Sequence, residues 1–257
     1  MADTAGRPAL GWRWALVLAR LAAMLALLAL AVPLHLILRA LGRHRVVPPR
    51  FLQGIGWIAG LRVRAEGRPA AGRLLLVANH VSWLDIFGLA GASGCAFVAK
   101  GDLAGNSVLR WLCEQNETLF VMRDRRGGAG TQVEQVRSAL SARRMTIFPE
   151  GTTSDGTALL PFKSALLAAV EEDAANVQPV ALDYREAPEI AWFGSEPALA
   201  NVLRVLARVR PVRLNVRFLQ PLTAEERAGR KAMAAAAQQR IAGALGVPAL
   251  PKTGPIA

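Results

Sequence analysis

The chain carries three histidines, and only His80 stands where acid–base chemistry would be expected. His35 falls inside a long apolar run and His44 in the basic stretch behind it. His80 belongs to Asn79-His80-Val81-Ser82-Trp83-Leu84-Asp85, directly after the apolar segment Leu74–Ala78. A neutral imidazole can accept a hydroxyl proton near neutral pH, and a carboxylate can fix its tautomer and stabilise the cation that forms. Asp85 could do this if the turn folds it back toward the ring. The same residues also fit a structural role, because Ser82-x-x-Asp85 is a helix N-terminal capping pattern. A metal site is disfavoured, since no second His or Cys stands at ligand spacing.

A second constellation, Ile147-Phe148-Pro149-Glu150-Gly151-Thr152-Thr153-Ser154, also follows an apolar run. Successive backbone N–H groups in such a glycine turn can form an anion-binding concavity, with the Thr152 and Thr153 hydroxyls assisting. Glu150 would fix the turn or hold a polar substrate group; a plain surface turn is the alternative. Between the two motifs, Phe120-Val121-Met122-Arg123 delivers an arginine to a loop. That arginine suits bidentate binding of phosphate or carboxylate, or else a solvated basic turn. Neither Ser82 nor Ser154 stands in Gly-x-Ser-x-Gly, which argues against a serine hydrolase. The glycine-rich loop at 125–130 lacks the Gly-Lys-Ser/Thr ending of a nucleotide-binding loop.

Elements must position these groups. Short apolar runs at 74–78, 96–99, 119–122, 145–148 and 177–182 predict buried strands. Residues 212–218 alternate with period two and predict a strand with one wet, basic face. Helices are predicted over 82–90, 108–114, 130–142, 163–173 and 224–245, the last with Glu225 and Glu226 early and Arg240 late. The alternation gives an α/β class with one main sheet. His80 and Glu150 then lie behind strand ends, where open α/β sheets collect functional groups.

The 257 residues carry a formal charge of +12, yet 53% are hydrophobic and only 19% charged, against about 25% charged in a typical soluble domain. Disorder is excluded by the apolar content, and a disulfide scaffold by having only Cys95 and Cys113. A basic but apolar chain points to an anionic membrane surface rather than to nucleic acid. Residues 21–38 contain no formal charge, and as a helix they span about 27 Å of a hydrocarbon core of about 30 Å. Trp12 and Trp14 precede this run as interfacial aromatics. A cleaved signal peptide is disfavoured by the length of the run and by the lack of a small-residue site before a polar start. Arginines flank the run on both sides, which permits either a spanning helix or one that enters a single leaflet, bent at Pro33. A polar link containing Pro48 and Pro49 follows at 46–49. The expected division is a membrane-anchoring segment with its basic link over 1–50, a catalytic domain over 51–222, and a C-terminal helix and tail over 223–257.

The order of these motifs resembles that of the lysophospholipid acyltransferases related to bacterial 1-acylglycerol-3-phosphate acyltransferase. The carriers are the histidine–aspartate motif at Asn79–Asp85, Phe120–Arg123, the Phe-Pro-Glu-Gly motif at Phe148–Ser154 and the Pro-Val strand at Val177–Val180, in the family's order and spacing over about residues 61–222. The resemblance implies a single acyltransferase domain, with a central mixed sheet flanked by helices, preceded by an N-terminal membrane helix. It implies His80 as general base on a lysolipid hydroxyl, with Asp85 as its partner. Arg123 would contact the acceptor head group; Glu150, Gly151 and Thr152 would shape the acceptor site; Lys163 matches a basic position of the family. The hydroxyl would attack an acyl thioester of acyl carrier protein or coenzyme A, with no metal and no bound cofactor. Where many phosphatidate-forming members read Phe-Lys-x-Gly-Ala, this chain reads Phe162-Lys163-Ser164-Ala165-Leu166. That string, Gln178-Pro179-Val180 and Ala191-Trp192-Phe193-Gly194 resemble the branch acylating lyso-ornithine lipid. The expected acceptors are therefore lyso-ornithine lipid, lysophosphatidate, or both. The alternatives are a strict 1-acylglycerol-3-phosphate acyltransferase and a non-enzymatic basic membrane tether. The expected setting is the bacterial inner membrane with the active site on the cytoplasmic side, facing an anionic lipid surface and no nucleic acid. Arg204, Arg208, Arg210, Arg213 and Arg217 would contact membrane or donor, or simply form a solvated face.

Overall fold

The computed structural model describes residues 10–101, 105, 107–121, 128–171 and 175–251. Among these, seven strands form one sheet: β1 (Leu61–Glu66), β2 (Leu74–Ala78), β3 (Ala96–Lys100), β4 (Leu119–Val121), β5 (Met145–Ile147), β6 (Asn176–Tyr184) and β7 (Val212–Phe218). Their spatial order is β1-β7-β6-β2-β5-β3-β4, with every neighbouring pair parallel except β6 and β7. The sheet is therefore mixed. Strand β2, five apolar residues all buried, lies at its centre. A strand covered by helices on both faces needs a continuous apolar run of this kind.

The helices are α1 (Leu10–Ala40), α2 (Val47–Ile58), α3 (Leu84–Ser93), α4 (Ser107–Gln115), α5 (Gly128–Ala142), α6 (Ala187–Ile190), α7 (Ala198–Leu206) and α8 (Arg230–Leu245). Because side chains alternate across a strand, Leu74, Leu76 and Ala78 face one apolar layer, shared with Leu84 and Leu89 of α3 and Val205 of α7. Leu75 and Val77 face the other, shared with Val136 and Leu140 of α5 and Met233 and Ile241 of α8.

Several elements depart from the sequence expectation. Helix α1 begins well before residue 21 and takes in Trp12 and Trp14. The link expected at 46–49 is instead the start of α2, whose prolines occupy its first positions, where a missing N–H costs nothing. The helix expected over 163–173 is a short 3-10 turn, Ala165–Val170. Residues 224–229 form turns rather than the start of α8, and Glu226 pairs with Arg240 at 2.6 Å.

Helix α1 lies along the domain rather than apart from it. Arg20 donates to the carbonyls of Leu206 and Arg208 at 2.8 and 3.0 Å, and His35 Nε2 contacts Gln115 Oε1 at 3.2 Å. Fifteen residues separate these two ties, a length of about 22 Å along a helix. The other side of α1 exposes Leu18, Leu25, Leu30, Leu34 and Ile37. By length and composition the span Trp12–Ala40 could cross a membrane.

Candidate active site

Parallel neighbours β2 and β5 end at the same edge of the sheet, so the segments following them meet. His80 comes two residues after β2, and Glu150 three residues after β5. Between the strands the register is Leu75 to Met145 and Val77 to Ile147. The two motifs, seventy residues apart in sequence, are thereby brought together.

The turn after β2 folds Asp85 back onto His80, with Nδ1 to Oδ2 at 2.7 Å. The same Oδ2 accepts the backbone N–H groups of Val81 and Ser82 at 2.8 and 3.1 Å. Tyr184, the only tyrosine of the chain, donates its hydroxyl to Oδ1 at 2.6 Å from the end of β6. The carboxylate thus holds the turn that precedes α3, while α3 itself has Trp83 at its N-cap and no side-chain cap, so the capping pattern seen in the sequence closes the turn rather than the helix end. Asp85 is fully buried, and its four donors supply the compensation that a buried carboxylate requires. Burial, with the Asp85 charge and hydrogen bond, pushes the Tyr184 phenol well above its usual 10, so it remains a donor. A carboxylate only accepts, which fixes the His80 proton on Nδ1 and leaves the Nε2 lone pair free to serve as a base. The His80 side chain is 20% exposed, enough for a substrate hydroxyl to approach.

The backbone around His80 is pinned at every polar atom. Its N–H donates to Glu150 Oε1 at 2.7 Å and its carbonyl accepts from Ser154 N at 2.9 Å. Val81 donates to Asp85 Oδ2, and its carbonyl accepts from Trp192 N at 3.0 Å. Thr153 donates its hydroxyl to the Trp192 carbonyl, tying the loop after β5 to the segment after α6. Phe148 stacks on the imidazole, with ring centres 4.1 Å apart and planes 17° apart, which restricts rotation of the ring.

Glu150 is a buried clamp. Besides His80 N it accepts Leu160 N at 3.0 Å. Its carboxyl is pushed up to about 7, first by desolvation and further by the Asp85 charge, although both backbone bonds pull it down. Gly151 closes a turn by donating to the Phe148 carbonyl at 3.0 Å, with φ of 72°, a conformation that favours glycine. Thr152 is exposed beside it, and Lys163 is exposed with its backbone N–H on the Pro149 carbonyl at 2.9 Å. Arg123 lies outside the described residues, as does most of the loop that follows it. Among the described residues no three His, Cys, Asp or Glu side chains converge as metal ligands.

Of the five arginines singled out near the C-terminal half, Arg204 pairs with Glu196, Arg208 with Glu189, and Arg217 with Asp183 and Glu66. Sequence reasoning did not identify Tyr184. Asn79 stands in the motif but had no role assigned from sequence; its buried side chain bonds Leu182 N and O at 2.8 and 3.1 Å and extends the pairing of β2 with β6.

Fold and site define an α/β protein with a carboxylate-oriented histidine at the end of a central strand, suited to taking a proton from a hydroxyl. Residues 60–183 match the Acyltransferase family. The chain is 32% identical to the lyso-ornithine lipid O-acyltransferase of Rhodobacter capsulatus, over 93% of each chain. It is 33% identical to the protein of that name from Brucella abortus, over 86% of this chain and 90% of that one. A 1-acyl-sn-glycerol-3-phosphate acyltransferase of Neisseria gonorrhoeae is 34% identical over 58% of this chain and 60% of its own. The crystal structure of a 1-acyl-sn-glycerophosphate acyltransferase of Thermotoga maritima superposes with a TM-score of 0.66 at 17% identity, covering 89% of this chain and 95% of that one, and so shares the fold. The chain belongs to the lysophospholipid acyltransferase family and is an O-acyltransferase. Its exposed apolar N-terminal helix fits a membrane association.

Proposed function

We propose that this protein transfers a fatty acyl group from an acyl thioester to the free hydroxyl of a lysolipid, with lyso-ornithine lipid as its principal acceptor and ornithine lipid as product. The observation that carries this is the His80–Asp85 pair, with its proton fixed on Nδ1 and Nε2 left to act. In the reaction the acceptor oxygen bonds to the thioester carbonyl carbon while Nε2 takes the hydroxyl proton. The tetrahedral species then expels the thiolate, which receives that proton from the imidazolium; ester and thiol are the products. Asp85 stabilises the imidazolium throughout, and Glu150 and Phe148 hold the ring and its backbone in place.

The acceptor is argued from the two relatives that cover most of the chain, both named for lyso-ornithine lipid. The shorter match to a 1-acyl-sn-glycerol-3-phosphate acyltransferase supports lysophosphatidate as a second acceptor. Arg123 would meet the carboxylate or phosphate of that head group, with Gly151, Thr152 and Lys163 beside it. The donor is a thioester of acyl carrier protein or of coenzyme A. Both are anionic, in keeping with a charge of +12. Neither a metal nor a bound cofactor is required.

We further place α1 flat in one leaflet of the inner membrane, on the cytoplasmic side where both donors occur. A helix tied to the domain at Arg20 and at His35 would draw the domain into hydrocarbon if it crossed the bilayer upright. Lying in the interface, it buries its outward leucines and keeps the domain in water. The test is the purified full chain given acyl carrier protein thioester, with lyso-ornithine lipid and lysophosphatidate in parallel and products identified by mass. Ornithine lipid as the faster product is expected. Phosphatidate alone would overturn the acceptor assignment, and free fatty acid alone the transferase chemistry.

A further inference from the structure

At its β1 edge the sheet turns one face to water. Side chains alternate across a strand, and Val212, Leu214, Val216 and Phe218 of β7 all point into the apolar layer shared with α3, α7 and Val17 of α1. Arg213, Asn215 and Arg217 therefore point the other way, away from α1. Strand β1 adds to that outer face, because its register sets Arg62 beside Arg213, Arg64 beside Asn215 and Glu66 beside Arg217. Arg62, Arg64 and Arg213 are exposed there.

The two ends of this face differ. At one end Arg217 is held by Asp183 at 2.7 Å and by Glu66 at 3.4 Å. At the other, arginines stand side by side. Strand β6 is antiparallel to β7 with Tyr184 opposite Leu214, so the next position brings Arg185 beside Arg213, and their backbones bond at 3.4 Å. Arg185 is exposed as well. On the far flank Arg62 lies over the Trp57 ring at 4.9 Å and donates to the carbonyls of Trp57 and Leu61. The nearby Glu186 carboxylate accepts the backbone N–H of Arg213 at 2.9 Å. Like charges set directly opposite on neighbouring strands destabilise a sheet. A row of three arginines is thus poorly explained by the fold and well suited to an anionic partner.

Its position says which partner. Strands β6 and β2 run parallel and end at the edge where His80 stands, whereas β7 and β1 run the other way and begin there. The row starts one strand from β2 and ends three strands from it, about 5 to 14 Å across the sheet. A thioester carried on a pantetheine arm can cross that distance to His80. Helix α1, with its outward leucines, lies on the opposite face, so this row looks into water rather than toward the bilayer. An open sheet face supplies one wall, not the cleft that a small ligand such as a nucleotide occupies; it matches the acidic surface of a protein. We propose that this face docks acyl carrier protein, so that the donor arrives from water on one side of the sheet and the lysolipid from the membrane on the other. The inference rests on thioester-dependent transfer as proposed above and names which thioester serves it.

The test uses the full chain in detergent and two charge-reversal pairs. One is Arg185→Glu with Arg213→Glu. The control is Arg230→Glu with Lys231→Glu, exposed at the start of α8, where the Arg230 N–H meets Glu171 ahead of β6, at the edge of the sheet remote from His80. Binding of acyl carrier protein is titrated directly, and transfer to lyso-ornithine lipid is followed with the carrier thioester and with the coenzyme A thioester. The row pair should bind the carrier at least about tenfold more weakly and raise KM for its thioester by a similar factor, with kcat unchanged. Its KM for the coenzyme A thioester and its binding to phosphatidylglycerol vesicles should match the wild type, as should every property of the control pair. Since the row crowds like charges, Arg185→Gln with Arg213→Gln should unfold no lower than the wild type while still weakening carrier binding. Equal losses in both reversal pairs, or an equal rise in KM for the two thioesters, would overturn carrier docking on this face. A selective loss of vesicle binding would give the face to the membrane, and a Gln pair that unfolds several degrees lower would give the row a structural role; either overturns the proposal. A wild type that uses the coenzyme A thioester but binds no carrier removes the docking and leaves the transfer reading intact. One that binds the carrier at this row yet acylates no lysolipid does the reverse.

Discussion

Tyr184→Phe removes one oxygen from the buried hydrogen-bond set around Asp85 and leaves the ring in place. The lost bond is a 2.6 Å contact from a phenol to a fully buried carboxylate. Hydrogen bonds to charged groups contribute about 1.5–3 kcal/mol, and here the orphaned Oδ1 has no water to replace the donor. A destabilisation of about 2 kcal/mol is expected, equivalent to a fall in unfolding temperature of about 4–8 °C for a chain of this size. Turnover should suffer less. Asp85 Oδ2 keeps its His80, Val81 and Ser82 donors, so the imidazole stays oriented and the rate should fall by less than about tenfold, against the 100-fold or more expected for loss of a general base. The assay is thermal unfolding and acyl transfer on the same preparations, with Tyr184→Phe also made in an Asp85→Asn background. In that background the hydroxyl no longer meets a charge, so the second substitution should cost about 1 kcal/mol less than it does alone. An unfolding temperature within a degree of wild type, or a rate as low as that of His80→Ala, would refute the reasoning.

Two further outcomes follow from named contacts. Glu150 has a folded-state pKa of about 7, above the ordinary 4.5. Its contribution therefore favours the folded state below about pH 4.5 and is lost as pH rises through 7, by about 3 kcal/mol at 1.36 kcal/mol per pH unit. Glu150→Gln should flatten the decline in stability between pH 5 and 7, and an unchanged slope in thermal unfolding across that range would contradict the assignment. Leu25 and Leu30, 65% and 73% exposed on α1, should carry membrane binding; Leu25→Glu with Leu30→Glu should cut vesicle binding at least about tenfold without lowering the unfolding temperature, and undiminished binding would contradict the placement of α1.

What the sequence revealed of this site, and what it did not, follows from the distance over which each contact acts. His80 and Asp85 are five residues apart, so one turn decides their meeting and spacing alone could suggest it. Glu150 was legible as a motif, but its two backbone partners, His80 and Leu160, depend on β2 lying beside β5. Tyr184 needed the register of β6 on β2, which no local pattern encodes. Strand β1 reads Leu-Arg-Val-Arg-Ala-Glu, yet it is an edge strand with only Leu61 buried, so its alternation marks no buried face. Helix α2 was masked by its prolines, which suggest a link unless they are placed at a helix start. The short runs of β2, β3 and β5 were readable because both of their faces are covered and the apolar signal is continuous.

The most direct measurement of the central claim is acyl transfer by His80→Ala. Purified wild type and variant, both checked by thermal unfolding and vesicle binding, would be given acyl carrier protein thioester and lyso-ornithine lipid, and ornithine lipid followed by mass. If Nε2 of His80 is the base, the variant stays folded and membrane-bound while its turnover falls at least about 100-fold. A folded variant whose turnover stays within a few-fold of wild type would contradict the account.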